Sequence, residues 1–138
     1  MLQSAVNESL LTHKIDDAEI SVAVVGDDRI HEINRQFLDH DYETDVITFD
    51  LGAHPETGGL QGEIVVSAET AVQMAREVGN EPGIELVLYV VHGSLHLAGF
   101  DDHSDDDREA MRGAERKMMS RLGHEYRFEA EPEEKFGQ

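Results

Sequence analysis

At 138 residues the chain is one domain's worth, and 39% hydrophobic against 30% charged residues supplies a single packed core, which excludes a disordered tail protein. It has no cysteine, which removes disulfides, thiolate zinc clusters and cysteine nucleophiles together. Eleven Lys and Arg against thirty Asp and Glu leave a formal charge of −19, so nucleic acid is not bound through the overall field.

The opening shows no basic segment followed by an apolar one, so no signal peptide is expected and an intracellular, cytoplasmic protein is. Residues 3–13 read as a weak helix with Ala5, Leu10 and Leu11 on a partial apolar face. Ile20–Val25 is β-branched and stopped by Gly26-Asp27-Asp28, which predicts a buried strand. Asp28 is expected to cap a helix over 29–38, where Ile30, Ile33, Phe37 and Leu38 share one face. Asp45–Leu51 alternates and reads as a strand. The turn-rich stretch from Gly52 to Gly62 leads to a second strand, Glu63–Ser67. Ser67 then caps a helix across 68–78, ended by Gly79.

The following helix starts at Pro82 and stops before Gly99, and its run IELVLYVVHGSLHLA is apolar nearly all round. Such a helix lies in the middle of a domain. Its longest unbroken apolar run, Leu86–Val91, has six residues, well short of the ~20 that span a membrane. Ser104-Asp105-Asp106-Asp107 resembles a capping box and opens a last helix to about Leu122, with Gly123 as its stop. Residues 1–123 then form one domain, and the Glu-rich residues 124–138 are expected to fray. Two or three strands among four or five helices give an α+β fold, a small mixed sheet packed with helices, with a metal site on the buried central helix.

That site rests on His92 and His96, four apart and therefore on one face of the helix. Two imidazoles on an oily helix need polar partners, and a divalent metal satisfies both nitrogens at once. Gly99 lets the chain turn back, and Asp101, Asp102 and His103 follow immediately. Two ligands from a helix and one after a glycine turn give three protein ligands and an open position, the arrangement of catalytic zinc. The metzincin proteases share this spacing but place a Glu general base directly after the first His, where this chain has Gly93. Without that carboxylate a protease is not expected.

The segment His92–His103, HGSLHLAGFDDH, resembles the YbeY-type endoribonucleases, bacterial rRNA maturation factors with the signature H-G-x-L-H-L-x-G-[YF]-D-H. Two further family segments match: an Asn-containing helix and T-D-V-[LI]-[ST]-F at Asn34 and Thr44–Phe49, and G-[DE]-I-[VI]-[IV]-S at Gly62–Ser67. The resemblance implies a single-domain α+β fold and one Zn²⁺ per chain, with nickel or cobalt also suited to imidazole–carboxylate ligands. It implies hydrolytic cleavage of single-stranded RNA, in maturing the 3′ end of 16S rRNA and in ribosome quality control. The implied partners are rRNA, the small ribosomal subunit and its basic proteins, with no DNA and no membrane.

The chain departs from the family pattern in four places. The third ligand, ten positions after the first, is Asp102 rather than His, while His103 follows one later. A family Met nine positions beyond the third ligand falls on Met111 when counted from Asp102, so alignment favours Asp102 and residue type favours His103. The family's RNA-directed Arg is Leu38 here, and Arg35, one helical turn earlier, is the candidate to replace it as a catalytic cation beside His92 and His96. Glu43 stands where the family has Pro, and the N-terminus reads as helix where the family has a strand.

Charge is unevenly spread. Residues 1–100 hold four cations against eighteen acids, whereas residues 101–138 hold seven against twelve. Arg108, Arg112 and Arg116 recur every four residues on the last helix, with Lys117 and Arg121 beyond. They either face an external anion or pair with Asp105, Glu109 and Glu115. The acidic surface also suits a ribosome-assembly binding factor with a mainly structural metal, docking on basic ribosomal proteins.

Overall fold

Period-two alternation in three strands decides the layering. The computed structural model describes residues 2–38, 45–101, 103–124 and 126, with backbone alone at 37 and 38. Along it run α1 (Leu2–Thr12), β1 (Ala18–Val25), α2 (Asp27–Leu38), β2 (Val46–Ala53), β3 (Leu60–Ser67), α3 (Ala68–Val78), α4 (Pro82–Leu97) and α5 (Asp105–Arg121). The strands form one mixed sheet ordered β1-β3-β2, with β1 parallel and β2 antiparallel to β3.

On central β3, Ile64 and Val66 point into the main core with α1 and α4, while Val65 points to the opposite face. There it meets Ile47 of β2 and the buried Ile30 and Ile33 of α2. The α2 apolar face is therefore as expected at Ile30 and Ile33, and the side chains of Phe37 and Leu38 lie outside the described residues. Strand β1 divides likewise: Ile20 and Val22 face the main core, Ala23 and Val25 the α2 side. As an edge strand it leaves Val24 48% exposed, so the buried strand expected at 20–25 is instead half-covered.

The β2–β3 connection is tighter than its glycine content suggests. Pairing runs out to Ala53 and Leu60, through a bulge at Asp50/Gly52 that Gly52 permits with a φ of 85°. Helix α2 begins one or two residues earlier than Asp28 as cap would place it, because its first N–H is satisfied from elsewhere. Glu69 Oε1 accepts from Asp27 N at 2.6 Å, while Asp27 Oδ1 accepts from Ser67 and from Thr70 Oγ1. Ser67 also caps α3 through Thr70 N at 3.1 Å, and Gly79 closes that helix in the left-handed region, both as the sequence indicates.

Helix α4 is the hub, packed against α1, α3, α5, β2 and β3. Its apolar girth is matched by ten buried residues, as expected of a central helix. Ser104 caps α5 by accepting from Asp107 N at 3.0 Å. Beyond α5, Tyr126 lies in the stretch read from the sequence as frayed, yet it packs on the main core. No helix among the described residues is long and apolar enough to cross a membrane.

Candidate metal centre

His92 and His96 project from the last two turns of α4, each partly exposed. Their rings meet edge to face at 84°, with the two Nε2 atoms 3.1 Å apart. Each Nδ1 is held by a group that only accepts. His92 Nδ1 donates to Glu115 Oε2 at 2.6 Å, and His96 Nδ1 donates to the Phe100 carbonyl at 2.9 Å. Those partners place a proton on each Nδ1, so in the neutral tautomer each facing Nε2 offers a lone pair.

Two lone pairs that close repel unless a cation lies between or beside them. Nitrogens bound at ~2.0–2.1 Å to a tetrahedral zinc stand ~3.3 Å apart, so the pair suits a metal with almost no adjustment. The outer partners complete that reasoning. A carboxylate and a carbonyl on the far ring nitrogens fix the tautomer and raise the basicity of the ligating ones.

The sequence builds each partner by a different route. Gly99, with φ 109°, bends the chain back so that Phe100 N bonds the Leu95 carbonyl and the Phe100 carbonyl reaches His96. Glu115 arrives from α5, only 4% exposed among Met111, Met118 and Met119. Its second oxygen lies 3.4 Å from Arg112 Nη1 in an ion pair. Glu115 was legible as the one acid on a buried Met stripe at helical spacing, yet the sequence reading treats it only as a partner of surface arginines. Glu115→Gln is expected to weaken zinc binding about 10–100-fold, read by competition with a chromogenic chelator.

Gly93 occupies the position where a metzincin carries its base, and the packing leaves no room for one. A Cβ built there would stand 2.9 Å from Thr48 Oγ1 and 3.0 Å from Ile64 Cγ2. The missing general base is thus a consequence of how closely α4 lies on the sheet.

Of the candidate third ligands, Asp102 lies outside the described residues. His103 is exposed just before the α5 cap. Among the described residues no set of three or more His, Asp or Glu side chains is placed to hold a metal, so His103 is not gathered with the imidazole pair. Arg35 is exposed on α2, which covers the sheet face opposite the main core. The arginines lining the cavity beside His92 are Arg108 and Arg112. On α5, Arg108 pairs with Asp105 and Arg112 with Glu115, as the pairing alternative holds, while Arg121 reaches Glu8 of α1 at 3.1 Å.

That cavity measures about 340 Å³ and runs between α3, α4 and α5. Glu85 and Tyr89 line it from α4, and burial pushes the Glu85 carboxyl and the Tyr89 and Tyr126 hydroxyls above their ordinary pKa ranges.

Comparison with known proteins gives one consistent result. The sequence profile of the family described as Endoribonuclease YbeY matches residues 1–123. A relative from Rhodopirellula baltica bearing that name is 47% identical over 112 residues, covering 80% of this chain and 57% of the relative. One from Anaeromyxobacter dehalogenans is 40% identical over 108 residues, covering 78% and 56%. A third, from Syntrophotalea carbinolica, is 35% identical over 133 residues and covers 91% and 87%. The chain therefore spans little more than half the length of the first two relatives. Among solved structures, the solution structure of TM1509 from Thermotoga maritima superposes with a TM-score of 0.58 at 32% identity, over 88% of this chain and 81% of that one.

Proposed function

The chain belongs to the endoribonuclease YbeY family, and from that premise we propose that it is a metal-dependent endoribonuclease cutting single-stranded RNA, with the 3′ end of small-subunit rRNA as substrate and the cytoplasm as its place of action. The observation that carries the metal dependence is the pair of Nε2 lone pairs facing each other at 3.1 Å, with both Nδ1 atoms already committed.

His92 and His96 would hold the ion, with Asp102, which stands at the family's third-ligand position, completing the set. Zinc, nickel or cobalt all suit such donors. When bound, the metal supplies a Lewis acid for a phosphodiester oxygen and a more acidic water. The chain's own residues do the rest. Glu115 and the Phe100 carbonyl hold the two rings in one tautomer and one orientation. Arg112 pairs with the free oxygen of Glu115 and so steadies the carboxylate that orients His92.

The test is cleavage of a short 3′-extended rRNA fragment before chelation, after it, and after zinc is restored. Loss and recovery of cutting, with the same fragment annealed to a complement left intact, are the expected results. Cutting that ignores chelation would overturn the metal dependence. The charge of −19 favours a second reading, a ribosome-assembly factor that docks on basic proteins of the small subunit. Subunit binding without any cleavage would install that reading instead.

A further inference from the structure

Two buried polar atoms on α4 have no hydrogen-bond partner among the described residues: Glu85 Oε2 and the Tyr89 hydroxyl. Their residues are 1% and 4% exposed, and both line the cavity beside His92. They stand four apart on one helix face, and Tyr89 and Glu85 lie about one and two turns before His92. Tyr126 fixes the other Glu85 oxygen, its hydroxyl donating to Oε1 at 2.7 Å, and the Asn80 side chain also bonds the carboxyl, so it is held in one orientation with Oε2 toward the cavity wall. Orphaned polar atoms in a protein interior are costly, and two together on one cavity wall mark a place where a ligand completes the bonding.

The cavity's chemistry narrows the ligand. Asp45, Glu85 and Glu115 all line it, while Arg112 is engaged by Glu115 and Arg108 by Asp105, so a phosphate is not its natural occupant. A bare cation has no use for apolar walls, and Met74, Val78, Leu88 and Met111 supply them. The volume of about 340 Å³ holds a flat ring system with room to spare. Every nucleobase presents an N–H beside an acceptor on its Watson–Crick edge. A carboxyl oxygen accepts the one, and a phenol hydroxyl donates to the other.

We propose that this cavity receives one unstacked nucleobase of the RNA, bound through Glu85 Oε2 and the Tyr89 hydroxyl and held between the methionine and aliphatic walls. The ligand's identity rests on the reading of the chain as an RNA-cleaving enzyme, whereas the pocket itself rests on its orphaned atoms. Recognition of a base in a pocket also explains a preference for single strands, since a paired base is not available to enter. The base pocket lies beside the His92 ring, so it sets which phosphodiester is presented there.

The test uses the full chain and free adenosine, guanosine, cytidine and uridine, which carry no phosphate. Binding is followed by NMR shifts of the Leu88 and Val78 methyls and by calorimetry. At least one nucleoside is expected to shift those methyls, and Tyr89→Phe to weaken its binding about tenfold. With single-stranded RNA the same variant is expected to raise KM about tenfold and leave kcat within about twofold. Tyr89→Phe removes only an unpartnered hydroxyl, so its melting temperature is expected to hold or rise. Glu85→Gln serves as the second variant and is expected to change which nucleoside binds best. Absence of methyl shifts with all four nucleosides, equal binding by the parent and both variants, or the same response to methylamine would each overturn the proposal. Nucleoside binding with the variant effects intact but no RNA cleavage would sustain the pocket and overturn the nuclease reading, which separates the two failures.

Discussion

Replacement of His96 by alanine is expected to slow RNA cleavage about a thousandfold, which corresponds to the several kcal/mol a catalytic metal supplies at ~1.36 kcal/mol per factor of ten. The substitution deletes one of two facing Nε2 donors and leaves His92 with its Glu115 partner. It also releases the Phe100 carbonyl from its bond to the ring, a carbonyl beside a solvent-exposed Gly99 that water can serve in the ring's place. The helical circular dichroism should therefore be unchanged while bound zinc per chain falls. An alanine variant that keeps both its metal and its cleavage rate would remove the imidazole pair from the chemistry altogether.

The second large effect is expected from Gly93→Ala. The added methyl meets Thr48 Oγ1 at 2.9 Å and the Ile64 methyls at 3.0 and 3.2 Å, and Ile64 is fully buried at the centre of the sheet. Overpacking of this kind costs roughly 1–3 kcal/mol, a drop of several degrees in melting temperature for a domain of this size. Because His92 precedes Gly93 directly, any retreat of α4 from the sheet displaces that ring from Glu115. Metal affinity should fall along with stability, which a thermal scan and a zinc titration on the same sample would show. Gly113 provides the control: a Cβ there meets nothing within 4 Å, and alanine at an open helical position is expected to be neutral or stabilising. Equal melting temperatures for the two variants would refute the close-packing argument.

Local signals were sufficient wherever one segment decides its own structure. Ser67 and Gly79 bound α3, Ser104 caps α5, and the all-round apolar face of α4 predicts a buried central helix, because each depends on neighbours within a few residues. The readings that needed adjustment depend on distant chain. The start of α2 is set by Glu69 across forty-two positions, which no pattern around Asp27 reveals. Strand β1 reads as buried because its residues are β-branched, but burial is decided by its place at the edge of the sheet order. At the site, the His92–His96 spacing shows two donors and the glycine turn shows the return of the chain. The Met stripe around Glu115 marks it as facing inward, but its bond to His92 emerges only with α5 laid against α4, and the role of Gly93 only with α4 laid against the sheet. Tyr126, inside a Glu-rich tail, gave no local sign that it would anchor Glu85.

The two imidazoles and the groups that hold their Nδ1 atoms come from one continuous stretch, α4, its glycine turn and α5. The longest span within it is the twenty-three positions between His92 and Glu115, whereas joining β1 to β3 brings together Ser21 and Glu63, forty-two positions apart. Closing a short loop costs less chain entropy than closing a long one, and short-range contacts form sooner. The helical hairpin is thus able to assemble its donors before the sheet is complete. A metal captured at that stage would act on the speed of folding as well as on the stability of the finished domain, and so on how the protein is made as well as on what it does.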